Sequence, residues 1–190
     1  MRKILAGSAF IAGLASSALA QDQFEAMKET CIACHGEAAS DEVPHLGGLD
    51  SYYALLQLVA FRGGQRENEI MSGIVEEFSD NDLRVASEWV ATLPPPAAPA
   101  SQAPDASQME AGAALSSQHR CNSCHGADYK GGRQMPSLRN QREAYVAKSL
   151  LDYKAERRIG DRAAMVEIAT ALSDEDIEKL AYYMAHLEEQ

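Results

Sequence analysis

The hexapeptides "CIACHG", residues 31–36, and "CNSCHG", residues 121–126, contain all four cysteines of this 190-residue chain. A Cys-x-x-Cys pair can be a redox disulfide, half of a zinc site or a haem attachment point. A zinc ribbon needs its second pair within about 15–20 residues of the first, but 86 residues separate Cys34 from Cys121. A thioredoxin-like disulfide belongs in a βαβ setting, and no alternating strand pattern is visible. A zinc site of two Cys, one His and one further ligand in each unit would leave the repeated downstream Met, a poor zinc ligand, unexplained, and a redox disulfide needs neither the His nor the Met. Haem uses the His: the two thiols become thioethers and the adjacent His supplies an axial nitrogen.

The repeat extends beyond the cysteines. The first half reads Cys31, Cys34, His35, Pro44-x-Leu46, Tyr53, Phe61, Met71, Ser79-Asp80-x-Asp82 and Trp89. The second reads Cys121, Cys124, His125, Pro136-x-Leu138, Tyr145, Tyr153, Met165, Ser173-Asp174-x-Asp176 and Tyr183. Pro to Tyr is nine residues in both halves, and Met to the last aromatic is eighteen. Matching landmarks with insertions in only two places mark an internal duplication. Between the copies runs "LPPPAAPASQAPDAS", residues 93–107, whose composition favours extended, semi-rigid chain. The expected organisation is a first domain over 21–93, a linker over 94–106 and a second domain over 107–190.

Residues 1–20 have a basic start, a short apolar run and Ala18-Leu19-Ala20, the parts of a secretory signal cleaved after Ala20. This predicts an exported, periplasmic protein. No later segment is long and apolar enough to span a membrane. With 17 basic and 28 acidic residues the net charge is −11, and it becomes −13 once Arg2 and Lys3 are removed. Nothing in that balance neutralises phosphates, so nucleic acid is excluded as a partner. Residues 21–93 carry 4 basic and 14 acidic side chains against 11 and 13 in 107–190. The first domain is therefore expected to steer docking to basic surfaces.

Ser79-x-x-Asp82 and Ser173-x-x-Asp176 read as capping boxes that each open a helix. Residues 51–61 and 143–154 read as middle helices, and 22–33 and 107–123 as N-terminal helices running into the Cys pairs. Each unit is thus about three short helices, a thin core without a large apolar cofactor. Met71 and Met165 stand at equivalent positions in the two halves, and Met with His is a known axial pair that raises the reduction potential. They are the expected partners of His35 and His125 on iron. Met27, Met109 and Met184 read as core, and Met135, His45, His119 and His186 lack counterparts in the other half. A ligating His donates its free ring N–H to a carbonyl or carboxylate, and Pro44 and Pro136 offer one. Arg62, Arg66, Arg157 and Arg158 are candidate partners for the haem propionates.

These residues resemble a class I cytochrome c domain. Two in tandem after a signal peptide are similar to the cytochrome c4 family of dihaem cytochromes. The resemblance implies an all-α fold, with a few short helices wrapped around a covalently bound haem in each of two domains. The haems would face each other across a pseudo-twofold interface. It implies electron transfer between redox proteins, towards a terminal oxidase or from a periplasmic donor, and no catalytic residue. Gly47-Gly48-Leu49, the short loop after His35 and the long linker depart from that pattern. "FRGGQRENEIMSGIVEEFSDNDL" is similar to the cytochrome subunit of flavocytochrome c sulfide dehydrogenase, which leaves open an electron-accepting subunit of a flavoprotein dehydrogenase. A haem peroxidase would need a sixth position free of Met71 or Met165.

Overall fold

The computed structural model describes residues 14–37, 39–98, 103–158 and 163–187, with side chains from Phe24 onward. The described residues are helical and contain no strand. The first half holds α1 (Leu14–His35), α2 (Ser51–Arg62), α3 (Glu69–Val75) and α4 (Asp80–Val90). The second holds α5 (Ala106–Gln118), α6 (Asn122–His125), α7 (Glu143–Lys154), α8 (Ala163–Thr170) and α9 (Asp174–Ala185). Most of the expected export segment lies outside the described residues, and from Leu14 its backbone forms the start of α1.

Short polar side chains set several helix starts. Asp50 accepts from the Tyr52 N–H at 2.8 Å and opens α2. Ser79 and Asp82 form a reciprocal capping box at α4, and Ser173 and Asp176 repeat it at α9. Each such cap stabilises its helix by about 1 kcal/mol. Behind the boxes, Leu83 and Ile177 occupy equivalent positions and are fully buried.

Two expectations need correction. The helix expected over 107–123 is broken, because Arg120 turns into the left-handed region at φ 55° and α6 starts afresh. Besides the separate α6, each half has a further short helix that was not expected, α3 and α8, which carry Met71 and Met165. Asn68 caps α3 by accepting from the Met71 N–H at 2.9 Å. That Asn, followed by Glu69 in the first turn, was the available signal.

In the second half α5 crosses α9 and α7 packs on α8 and α9. The crossing is close at Gly112, where a Cβ would collide with the Tyr183 Cβ and meet the Lys179 carbonyl at 2.6 Å. In the first half α2 packs on α3 and α4, burying Phe61, Val75 and Leu83. Among the described residues α1 has no comparable packing on α4. The chain leaves α4 past Gly47 and Gly48. A Cβ on Gly47 would overlap the Pro94 carbonyl, and Gly48 has φ 76° with its N–H on the Leu93 carbonyl at 3.4 Å. The unusual glycines are therefore what let the linker lie against the first domain.

Candidate haem sites

The two Cys-x-x-Cys-His segments end helical stretches, which puts each pair of thiols one turn apart on one side of the chain. Cys31 and Cys121 are half-buried, Cys34 and Cys124 exposed, and none forms a disulfide. Burial pushes the Cys31 and Cys121 thiols up from their ordinary pKa.

The histidines are oriented identically. His35 Nδ1 lies 2.9 Å from the Pro44 carbonyl, and His125 Nδ1 lies 3.0 Å from the Pro136 carbonyl. A proline carbonyl can only accept, so Nδ1 carries the proton and Nε2 keeps its lone pair. Burial lowers the His35 pKa; the Pro44 carbonyl opposes this, and Arg142 and Arg66 reinforce it. The ring is thus neutral, the form an axial nitrogen requires.

One continuous cavity joins the two halves. Cys31, Cys34, His35, Pro44 and Met71 line it from one side, and Cys121, His125, Pro136 and Met165 from the other. Tyr53, Phe61, Tyr145 and Tyr153 add aromatic walls. Met135 also lines it, without a counterpart in the first half. Met184 is core, as expected.

The expected arginines divide into two kinds. Arg62 bonds the Phe78 carbonyl at 2.9 Å and Asp80 at 2.6 Å, and Arg157 bonds Asp152 at 2.8 Å; both are exposed. Arg66 and Arg158 instead line the cavity where the halves meet, in an antiparallel bridge to each other. Arg66 donates to Tyr145 Oη at 2.9 Å, and Arg158 donates to Tyr53 Oη at 2.7 Å. Each arginine reaches into the opposite domain, a reciprocity expected of a twofold-related pair. Both also donate to Gln57 Oε1, at 2.8 and 2.9 Å.

Among the described residues no carboxylate pairs with Arg66 or Arg158. Arg158 is 6 % exposed and its Nε has no hydrogen-bond partner. Burial alone would raise the Tyr145 hydroxyl, yet Arg66 and Arg158 pull it down to about 7. Buried positive charge of this kind is costly without a counter-charge. A group with carboxylates, as haem has in its propionates, fits that orphaned donor. The thiol pairs, neutral imidazoles and aromatic walls fit the rest of the macrocycle.

Comparison with known proteins agrees with this geometry. The cytochrome c family model matches residues 109–188. The thiosulfate dehydrogenase electron acceptor of Stutzerimonas stutzeri is 30 % identical over 169 residues, covering 83 % of this chain and 78 % of that protein. Reduced cytochrome c4 from Pseudomonas stutzeri superposes with a TM-score of 0.77 at 26 % identity, over 88 % of this chain and 98 % of that one. The chain belongs to the cytochrome c4 family. It carries covalently bound c-type haems and serves electron transfer. Thiosulfate dehydrogenase TsdBA from Marichromatium purpuratum also aligns, with a TM-score of 0.70 at 28 % identity, over 82 % of this chain and 36 % of that one. Among the described residues no helix is long and apolar enough to cross a membrane.

Two residues that matter to the site escaped sequence reasoning. Gln141 and Arg142 reach from the second half onto the loop that follows His35. Their only sequence signal is that Leu49 and Asp50 stand at the equivalent places.

Proposed function

We propose that this chain is a periplasmic dihaem electron carrier that accepts electrons from a dehydrogenase acting on a reduced sulfur compound. His35 and Met71 would be the axial ligands of the first haem, and His125 and Met165 those of the second. The observation that carries the assignment is the twice-repeated set around one cavity: a histidine fixed by a proline carbonyl and a methionine on a short helix. When bound, haem supplies one-electron cycling of iron between ferric and ferrous states. The chain's part is to hold the imidazole neutral, offer a soft sulfur and neutralise the propionates with Arg66 and Arg158. Held by a histidine and a methionine each, the haems would serve one-electron transfer rather than substrate chemistry.

The electron source is read from the relative named as an electron acceptor of thiosulfate dehydrogenase and from the likeness to TsdBA. A terminal oxidase is the proposed acceptor downstream. The acidic first domain would steer docking, so rates with a basic partner should fall as ionic strength rises.

The test is an absorption spectrum of the protein purified gently from the periplasm at low salt, followed by mixing with thiosulfate and a thiosulfate dehydrogenase. Two haems per chain, the red-edge band of Met on ferric iron and prompt reduction are expected. Absence of that band would remove Met71 and Met165 as ligands. Flavin in fixed ratio to haem would make the chain a relay subunit of a flavoprotein instead.

A further inference from the structure

The loop that carries each histidine's proline is anchored in a different way. In the second domain it anchors itself. Tyr129, 8 % exposed, places its hydroxyl 2.8 Å from Ser116 Oγ, and its backbone carbonyl accepts from the Leu138 N–H at 2.9 Å. The Gly131 N–H closes the loop on the His125 carbonyl at 2.8 Å. The first domain's loop is two residues shorter between His and Pro and has no such tyrosine.

Its anchor comes from the other domain. Arg142, 8 % exposed, donates to the Gly36 carbonyl at 2.7 Å, the Val43 carbonyl at 2.7 Å and the Ser40 carbonyl at 3.2 Å. Gln141 pairs with the His45 backbone in both directions, at 2.8 and 2.9 Å. The clamp therefore grips the residue after His35 and the residues on both sides of Pro44. Arg142 itself sits at the start of α7 without capping it. A cation there opposes the helix dipole, a local cost that the three carbonyls offset. Asp50, at the equivalent place before α2, is an ordinary cap.

We propose that Arg142 is a positioning residue for the first haem, making that haem's reduction potential depend on the docked second domain. This rests on His35 being the axial ligand. A buried cation near the site disfavours ferric iron, which carries one more positive charge than ferrous. The carbonyl clamp also holds the Pro44 acceptor that orients His35. The grip on Pro44 makes the imidazole a more basic ligand and works weakly the other way, so the rise in the first haem's potential comes from the buried cation.

The test uses the full-length dihaem protein in a spectroelectrochemical titration that resolves two one-electron steps. Met71→Lys assigns the step of the first haem; if it moves neither step, the ligand reading fails and not merely this inference. Arg142→Met should lower the assigned step by at least a tenfold change in its oxidised-to-reduced ratio, about 59 mV. The other step should move less than threefold, and amides 36–45 should exchange faster with deuterium. Arg142→Lys should recover part of the shift, while the exposed Arg84→Met should do nothing. Should Arg142→Met fail to retain haem, Gln141→Leu carries the same test with a smaller shift in the same step. Unchanged potentials, or equal shifts in both, would overturn the proposal.

Discussion

In the second domain α5 crosses α9 at Gly112, His125 is 5 % exposed and Tyr129 pins the histidine loop from within. In the first, among the described residues α1 has no comparable packing on α4, His35 is only half-buried and the loop is held by Gln141 and Arg142 of its neighbour. The duplicated halves have thus kept the same chemistry on frames of unequal independence. One frame closes on itself and the other is completed across the interface. A small domain with a thin core needs such a staple, and here a sister domain supplies it.

The largest expected effect comes from removing one haem at a time. Replacing Cys121 and Cys124 by Ser should disturb both domains, weakening the Met-to-iron band of the remaining first haem. Replacing Cys31 and Cys34 by Ser should leave the second haem's spectrum intact. Haem-to-protein ratios and the red-edge band check this, and symmetrical damage would break the comparison.

Gly112→Val comes next, because its side chain would enter the space held by Tyr183 and the Lys179 carbonyl. Overpacking of this sort costs about 1–3 kcal/mol, and the loss should appear as a lower Tm for the second domain. Asn68→Ala removes the cap on the helix that carries Met71, costing about 1 kcal/mol. It should make the first haem's Met–iron bond break at a lower denaturant concentration while leaving the second unchanged.

The smallest effect should be shared. The Ser79 hydroxyl and backbone N–H hold the Asp82 carboxyl below the ordinary aspartate value of 3.8, and Ser173 does the same for Asp176. A depressed carboxyl adds stability that is present above that value and is lost as pH falls through the lower folded value. Acid titration followed by far-UV circular dichroism should therefore weaken α4 and α9 alike below about pH 3.8. Asp82→Asn or Asp176→Asn should flatten the loss in one domain only.

Much of this was legible in the linear chain because it depends on neighbours in sequence. A thiol pair one turn apart with a histidine beside it is a local pattern, as is a Ser-x-x-Asp cap. Duplication then exposed Pro44 with Pro136 and Met71 with Met165, since each landmark is checked by its copy. The acidic first half likewise came from composition. What stayed hidden lacked either a local signature or a copy. Arg62 and Arg66 are four residues apart, yet only Arg66 turns into the cavity, and Arg157 and Arg158 are adjacent yet part in the same way. Gln141 and Arg142 act 96 to 106 residues away from their partners. The amino-acid sequence by itself determined the haem attachment points and the helical, duplicated plan, because short-range covalent spacing sets them. Only the tertiary structure decided which arginines face the shared cavity and which domain anchors the first histidine's loop. Those outcomes depend on how two packed bodies meet, and a hydrogen bond across such an interface leaves no period or spacing in the chain.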